Sequence, residues 1–396
     1  MEGEALRENP QSNLGSAKLS RWRSRNCNIL RRVNQTMTRS RLRVGVIGVG
    51  IGTLHLQGYA RNPDVDIVAI ADLDDERVRH AAAEYAVTTT YRHYEELLAD
   101  ARIEAVSICL PNFLHAPVAI AALRAGKHVL VEKPLARNSA EGRAMLAAAE
   151  ASGKVMMINF NRRFREDVLW LKRRIAAGGL GQIYYAKAFW MRRSGIPRLG
   201  SWFVSKEQAG GGPLVDLGVH VLDMALFMLG EPAVRRVTAA TYAAFGPRGL
   251  KGWKGRASSS DTGLAYDVED LATAFLRLEG GATLHLEASW ATHSSAMDDF
   301  GVTFYGTEGG AELFVRNYAT TNTLRLFSDI DGVATNTSVE VRSTEGRSEL
   351  IDRFVDAIFD RGPADPSALE GLRRTAVLEA CYASAAAGHE LALDPL

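Results

Sequence analysis

The sequence predicts an α/β fold with an N-terminal, doubly wound parallel sheet, followed by a C-terminal α+β domain with an open, mostly antiparallel sheet. From residue 43 to about 158, short apolar runs alternate with amphipathic stretches, which is typical of parallel strands covered by helices on both faces. After residue 160, apolar and polar residues alternate singly, as at 282–290, which indicates half-buried antiparallel strands. We expect a disordered basic extension (1–41), a first domain (42–160) and a second domain (161–396) whose last helices pack back on the first.

The composition excludes several classes of protein. The 396 residues are 46% apolar, enough for two cores, and the net charge of +1 favours neither nucleic acid nor a membrane surface as partner. No apolar run reaches the ~18 residues of a membrane span. Cys27, Cys109 and Cys381 are far apart and form neither a disulfide framework nor a metal site, so we expect a cytoplasmic protein without a bound metal.

The first 40 residues differ from the rest in charge. They carry eight basic and three acidic side chains, a net charge of +5, which leaves −4 for the remainder. They lack hydrophobic periodicity and are rich in Asn, Ser and Arg, which is typical of a disordered segment. A targeting peptide and a true start at Met37 are the alternatives, and the lack of an apolar segment argues against secretion.

The periodicity places the elements along the chain. In the first domain it predicts strands at 43–48, 66–71, 105–110, 127–131 and 155–159, and helices at 51–61, 75–85, 93–99, 114–125 and 139–152. In the second it predicts strands at 182–190, 234–244, 270–278, 282–290, 299–306, 310–315, 323–328 and 337–342. Helices are expected at 166–177, 214–229, 347–361 and 367–387, a hairpin turn at Gly280-Gly281 and a long loop at 245–265.

A glycine-rich turn follows the first predicted strand. Gly48, Gly50 and Gly52 let the backbone turn sharply and approach a pyrophosphate at the start of the next helix. Asp72 ends the second strand, 20 residues past Gly52, where a carboxylate can accept hydrogen bonds from an adenosine ribose. Because strand, turn, helix, strand and acid occur in this order, the segment predicts a nicotinamide dinucleotide site rather than a turn without a ligand.

Two further segments carry side chains suited to chemistry on a hydroxyl group. Lys133 follows Glu132 at the carboxyl end of a predicted parallel strand, the edge at which open α/β sheets bind ligands. Asp216 and His220 are spaced i, i+4 on one helical face, and histidine can accept a hydroxyl proton while hydride leaves the same carbon. The alternatives are a surface lysine, an Asp–His surface pair, a core histidine, or a metal site that lacks an evident third ligand.

Two polar residues lie where other predicted strands end. Asn112, in Leu110-Pro111-Asn112, can contact the nicotinamide side of the cofactor or cap the next helix. Arg162, where the chain enters the second domain, can fork across polyol oxygens or belong to a solvated helix N-terminus. Both residues are therefore candidates for the same ligand crevice.

Taken together, these motifs resemble the Gfo/Idh/MocA family of oxidoreductases over roughly residues 42–390. The triplet Glu132-Lys133-Pro134 and the run from Gly210-Gly211-Gly212 to Asp216 and His220 are specific as a set, although Gly52 comes one residue earlier than in the usual G-x-G-x-x-G pattern. The resemblance implies a Rossmann first domain, a role of Lys133 and His220 in hydride transfer, and Asp216 beside the substrate. The predicted cofactor contacts are Gly48, Gly50, Ile51, Gly52, Asp72, Leu73, Leu110, Asn112, His115, Glu132, Lys133 and Arg162.

The predicted activity is NAD-dependent oxidation of a secondary hydroxyl of a sugar, glycoside or cyclitol, with His220 as general base and Lys133 assisting. NAD is favoured over NADP because Asp72 repels a 2′-phosphate and Leu73 is not an arginine that could receive one. The predicted substrate contacts are Lys133, Arg162, Trp190, Arg192, Trp202, Asp216 and His220. The stretch from Phe189 loosely resembles members that oxidise glucosides at C3, and the alternative is that the two tryptophans belong to the core.

Two other functions are compatible with the same motifs. One is NAD-using glycoside hydrolysis without net redox change, and the other is non-catalytic sensing of a dinucleotide or sugar. An uncovered sheet face is unfavourable, so we expect a homodimer or homotetramer formed through the C-terminal sheet.

Overall fold

Parallel strands form the N-terminal sheet of the computed structural model, which describes residues 41–252, 266–394 and 396. Its strand order is β3-β2-β1-β4-β5-β6, and every pairing is parallel. The strands are β1 Leu42–Ile47, β2 Val65–Ala71, β3 Thr89–Tyr91, β4 Ala105–Ile108, β5 His128–Val131 and β6 Met156–Ile158. The doubly wound sheet is therefore confirmed, and its order reverses between β1 and β4, which opens a crevice at their carboxyl ends.

Five helices of the described part of the chain cover this sheet: α1 Gly52–Arg61, α2 Asp75–Glu84, α3 Tyr94–Ala99, α4 Asn112–Arg124 and α5 Ser139–Ser152. Side-chain caps fix where two of them begin. Asp74 accepts hydrogen bonds from the backbone N–H groups of Glu76 and Arg77, and Asn138 accepts one from Glu141. The edge strand β3 was not predicted because it is three residues long, half-exposed and without an apolar run.

The C-terminal sheet has the order β14-β13-β12-β11-β7-β10-β9-β8-β15. Its strands are β7 Ile183–Arg192, β8 Val234–Tyr242, β9 Leu271–Leu278, β10 Thr283–Ser289, β11 Asp298–Gly306, β12 Gly310–Arg316, β13 Leu324–Ile330, β14 Val333–Val339 and β15 Leu391–Ala392. All described pairings are antiparallel except β7 with β10, so the prediction of a mostly antiparallel sheet is confirmed.

Two tight hairpins set the register of this sheet. Gly280 and Gly281 both have positive φ and join β9 to β10, as the sequence predicts. Asp331 and Gly332 also have positive φ and join β13 to β14. The predicted strand at 337–342 therefore begins too late, because the Asp-Gly turn starts β14 at Val333.

The remaining helices are α6 Glu166–Ala176, α7 Lys206–Ala209, α8 Val219–Met228, α9 Arg347–Ile358 and α10 Ala368–Ala387. The helix predicted at 214–229 starts as one turn of π-helix, Leu214–Gly218, and continues as α8. The last two helices return to the first sheet: Ile351 of α9 packs on Gly58 of α1, and Leu372 of α10 packs on Gly142 of α5.

One helical stretch is longer and more apolar than expected from the absence of an 18-residue apolar run in the sequence. In the described part of the chain, Lys206–Met228 is long and apolar enough to cross a membrane by length and composition, yet 94% of its apolar 18-residue window is buried inside the fold. Every residue of α8 is buried, and a helix that is hydrophobic all round is typical of a protein core as well as of a membrane. Residues 1–40 of the predicted extension and 253–265 of the predicted loop lie outside the described residues.

Candidate active site

Two adjoining cavities lie at the carboxyl ends of the parallel strands. The larger, about 700 Å³, is lined by Gly48, Gly50, Asp72 and Leu73 and is called the glycine-loop cavity below. The smaller, about 270 Å³, is lined by Lys133, Asp216 and His220 and is called the His220 cavity. Both are lined by Ile51, Leu110, Trp202 and Phe203, so one ligand can extend from the first cavity into the second.

The three glycines of the loop have separate structural roles. Gly48 has a φ of 86°, and a Cβ there would lie 2.2 Å from the carbonyl oxygen of Cys109. At Gly52 a Cβ would lie 2.9 Å from the side chain of Val46, so this glycine allows α1 to pack on β1. A Cβ at Gly50 would meet only the guanidinium of Arg77, at 3.6 Å, so the backbone of Gly50 is open to the cavity. This cradle fits a pyrophosphate despite the early third glycine.

Asp72 joins the glycine turn to the second strand. One carboxylate oxygen accepts a hydrogen bond from the backbone N–H of Val49 (2.7 Å), and the other accepts one from Asp74 (2.9 Å). Arg77 and Arg92 line the same cavity but are ion-paired with Asp74 (3.2 Å) and Asp75 (2.8 Å). The residue after Asp72, Leu73, does not indicate these two arginines, because they come from α2 and from the end of β3.

Lys133 and Asp216 form the polar centre of the His220 cavity. The Lys133 ammonium donates to the Asp216 carboxylate (2.9 Å) and to its main-chain oxygen (3.0 Å). The second carboxylate oxygen accepts a hydrogen bond from the indole N–H of Trp290 (3.0 Å). Burial alone would raise the pKa of Asp216, but the charges of Lys133 and Arg192 and these hydrogen bonds lower it. Asp216 is therefore a carboxylate with a fixed orientation.

His220 lies on the next turn of the helix and is 8% exposed. Its ring packs on Trp190 with centroids 5.6 Å apart, and its buried Nδ1 has no hydrogen-bond partner among the described residues. Burial, together with the positive charges of Lys133 and three arginines, holds the pKa of His220 well below its usual range. The imidazole is therefore neutral near pH 7, the state in which it can accept a proton.

Asp298 organises the opposite wall of the cavity. It accepts hydrogen bonds from the indole of Trp190 (2.7 Å), from Arg192 (3.0 Å) and from the hydroxyl of Tyr318 (3.1 Å). Trp190 is 2% exposed, so the alternative of a core aromatic describes it best, although its ring reaches the wall. Trp202 stacks on Phe203 at 3.8 Å and lines both cavities.

Arg162 is buried in this wall rather than solvated. Its guanidinium lies 4.9 to 5.4 Å from the ring centroids of Trp190, Phe300 and Tyr318 and is ion-paired with Glu345. Burial lowers its pKa to about 10. The alternative of a solvated helix N-terminus is therefore wrong for Arg162.

Most of the predicted site residues line one or both cavities. The exceptions are Gly52, which packs against β1, and His115, which is fully buried. The two ring nitrogens of His115 lie 2.7 and 2.8 Å from the main-chain oxygens of Pro134 and Leu110. This position corrects the expected cofactor contact, because the imidazole holds two loops together and its nitrogens face neither cavity.

Other residues of the cavity walls carry no signal in the sequence. Tyr318 and Arg347 line the His220 cavity, and Trp290 and Asp298 lie directly behind it. Tyr318 lies in a loop and has a φ of 60°, and Arg347 begins a surface helix. Neither residue therefore belongs to a motif of the parallel domain. Within the described ranges, no group of three or more His, Cys, Asp and Glu residues could hold a metal ion.

Comparison with known proteins assigns the family. Residues 42–160 match the GFO_IDH_MocA family, described as an oxidoreductase family with an NAD-binding Rossmann fold, and residues 168–312 match its C-terminal domain. The chain is 31% identical to the D-glucoside 3-dehydrogenase of Escherichia coli K12 over 363 residues, 91% of this chain and 100% of the relative. It is 32% identical to the levoglucosan dehydrogenase of Pseudarthrobacter phenanthrenivorans, over 68% of this chain and 72% of the relative.

Solved structures agree with this assignment. Levoglucosan dehydrogenase in complex with NADH and levoglucosan superposes with a TM-score of 0.77 at 27% identity, covering 89% of this chain and 99% of that one. GenD2 from gentamicin A biosynthesis, in complex with NAD, gives a TM-score of 0.73 at 28% identity over 90% of this chain and 97% of that one. The chain therefore belongs to the Gfo/Idh/MocA family and is an oxidoreductase with an NAD-binding Rossmann domain.

Proposed function

We propose that the protein oxidises a secondary hydroxyl group of a sugar, glycoside or cyclitol with NAD. The observation that carries this proposal is the meeting of Lys133, Asp216 and His220 in one small cavity that adjoins the glycine-loop cavity. Relatives named as a glucoside dehydrogenase, a levoglucosan dehydrogenase and a myo-inositol dehydrogenase support a cyclic polyol as substrate.

The residues around the glycine turn would hold the cofactor. Gly48, Gly50 and Ile51 would face the pyrophosphate, and Asp72 and Leu73 would face the adenosine ribose. The nicotinamide side of the cofactor would lie in the His220 cavity, beside Leu110, Asn112, Glu132 and Lys133. The amide of Asn112 donates to the main-chain oxygen of Ala209 (2.8 Å), which leaves its carbonyl oxygen for a ligand. When bound, NAD supplies the hydride acceptor.

His220 would remove the hydroxyl proton and Lys133 would stabilise the oxygen from which it leaves. A neutral imidazole accepts that proton, and the ammonium of Lys133 donates a hydrogen bond to the developing alkoxide. Asp216 holds the ammonium in place through the 2.9 Å ion pair. The wall around the sugar ring would be formed by Arg162, Trp190, Arg192 and Trp202. Of these, the indole of Trp202 would face C–H bonds and Arg192 would donate to hydroxyls.

We further propose that the protein is cytoplasmic and that it forms a homo-oligomer. The homo-oligomer is proposed because the outer face of the C-terminal sheet carries aromatic rings. Tyr185 stacks on Tyr305 at 5.4 Å, Phe189 packs on Phe314 at 5.5 Å, and Phe275 is 38% exposed. Register places Lys187, His285 and Phe275 in one row on this face, with His285 between the other two. A second copy of the chain would cover these rings.

A panel of polyols tests the proposed reaction. Methyl glucosides, levoglucosan and myo-inositol are mixed with enzyme and NAD, and NADH absorbance is followed. We expect NADH from at least one ring polyol, and oxidation of acyclic or hydrophobic alcohols alone would contradict the proposal. Hydrogen exchange at a ring carbon with glycoside cleavage but no net NADH would instead indicate a hydrolase, and tight binding with neither reaction would indicate a sensor.

A further inference from the structure

Four cationic side chains line the His220 cavity: Lys133, Arg162, Arg192 and Arg347. Three of them have a carboxylate partner. Lys133 is ion-paired with Asp216 at 2.9 Å, Arg162 with Glu345, and Arg192 with Asp298 at 3.0 Å. Among the described residues, Arg347 has neither an ion pair nor a hydrogen bond from its side chain to any group. It is therefore the cation of this wall without a direct carboxylate partner among the described residues.

The backbone around Arg347 strengthens the positive potential there. Arg347 is the first residue of α9, so the positive end of the helix dipole lies beside it. Gly346, which precedes it, has no side chain that could cap the helix. Gly346 is pressed against the turn that carries Arg162, because a Cβ there would lie 2.1 Å from the main-chain oxygen of Asn161. The helix end is thus fixed at the cavity.

Two nitrogens behind the surface of this cavity, on residues of its wall, are also unsatisfied. Nε of Arg162 and Nδ1 of His220 are buried and lack hydrogen-bond partners among the described residues. Arg347 adds its charge to those that lower the pKa of His220 and of Glu132, so it acts on the reacting end of the site. A negative group bound here would offset a field that now opposes protonation of His220.

We infer that the sugar substrate carries an anionic substituent, a carboxylate or a phosphoryl group, and that Arg347 binds it. This inference rests on the proposed function. Arg347 lines the His220 cavity and does not line the glycine-loop cavity, where the pyrophosphate cradle lies, so its partner belongs to the substrate rather than to the dinucleotide phosphates. A guanidinium forms paired hydrogen bonds with carboxylate and phosphate, and at about 270 Å³ the cavity suits a single sugar ring.

The test compares sugars that differ in one charge. Methyl glucoside is compared with methyl glucuronide, and glucose with glucose 6-phosphate, for the unmodified protein and for Arg347→Gln, Arg347→Lys and Arg353→Gln. Arg353 lies on the exposed side of α9 and is the control. Both kcat/KM with NAD and the dissociation constant of each sugar from the NADH-loaded protein are measured, so binding is read even where turnover is absent.

We expect the unmodified protein to prefer one acidic sugar over its neutral partner. Arg347→Gln should lower the affinity and the kcat/KM for that acid about ten- to hundredfold more than those for the neutral sugar, the usual effect of losing a charge-assisted hydrogen bond. Arg347→Lys should retain most of the preference. The glucuronide and the phosphate arms distinguish the two anions.

Equal losses for acidic and neutral sugars, or preference of the unmodified protein for the neutral sugar, would overturn the inference while leaving the proposed function intact. Failure of every sugar to be oxidised would count against the proposed function. In that case binding still decides the role of Arg347, because acid-selective binding that is lost in Arg347→Gln supports it and unselective binding refutes it.

Discussion

Asp216 shows how much of the site depends on single hydrogen bonds. Its helical spacing to His220 is visible in the sequence, and both residues line one cavity with Lys133, with which Asp216 is ion-paired. The partner of its second carboxylate oxygen, Trp290, is 74 positions away and lies directly after β10. Alternation along 282–290 predicts that Trp290 is buried, but no local pattern indicates which polar group its indole N–H meets.

Replacing Trp290 by Phe should reduce catalysis more than cofactor binding. The substitution removes one donor to Asp216 and keeps a ring in place, so we expect kcat/KM to fall about tenfold, equivalent to ~1–1.5 kcal/mol. The pKa of Asp216 should rise, which moves the acid limb of the pH profile to higher pH. Steady-state kinetics and NAD titration measure this, with Trp170→Phe as control, and an unchanged pH profile would argue against a positioning role.

The pH dependence should also report His220. Because its pKa is lowered, the neutral base form persists as pH falls through about 6.5, so oxidation should lose no activity to His220 protonation between pH 8 and about 6.5. Loss appears only at lower pH, as the histidine gains its proton. A profile of kcat/KM against pH checks this, and a midpoint above 6.5 that disappears in His220→Gln would refute it.

At the scale of elements, the catalytic helix is held by buried charges as well as by apolar packing. Asp223 of α8 pairs with Arg163 (2.7 Å) and with Arg374 of α10 (3.1 Å), and all three side chains are almost completely buried. The sequence places Asp223 one turn beyond His220 but does not reveal these partners. It predicts the π-helical turn at Leu214–Gly218 only as ordinary helix, because an extra residue in a turn leaves no compositional mark.

Removing the charge of Asp223 should destabilise the fold strongly. Asp223→Asn leaves two buried arginines with one carboxylate partner fewer, and breaking such a group costs about 3–5 kcal/mol. Denaturant unfolding measures the loss, with the exposed Asp329→Asn as control. A change below about 1 kcal/mol would mean that Glu231 and Glu370, which also contact Arg163, compensate for it.

At the scale of the molecule, the two sheets were predicted in type and in order along the chain. Uninterrupted apolar runs and the residue-by-residue alternation of apolar and polar side chains are strong local signals. The strands that carry the site were therefore predicted to within a few residues. Both the edge strands β3 and β15 and the parallel pairing of β7 with β10 were missed, because short edge strands lack an apolar run and pairing is a long-range property. The walls of the His220 cavity were partly missed for the same reason.

The aromatic outer face predicts how copies of the chain associate. Phe275→Asp places a charge among the rings and should shift the protein toward monomer, whereas Val333→Asp, at the start of the edge strand β14, should not. Light scattering coupled to size-exclusion chromatography measures the mass. A monomeric unmodified protein at micromolar concentration would contradict an interface on this face.

The central claim is that His220 takes the hydroxyl proton during hydride transfer from a sugar carbon. The most direct measurement is the rate of NADH formation in a single turnover by His220→Ala, with the best sugar of the panel, alongside its affinity for NAD. We predict that the rate falls about 10²–10⁴-fold, the usual contribution of a general base, while NAD affinity changes little. A rate near that of the unmodified protein at neutral pH would contradict the account.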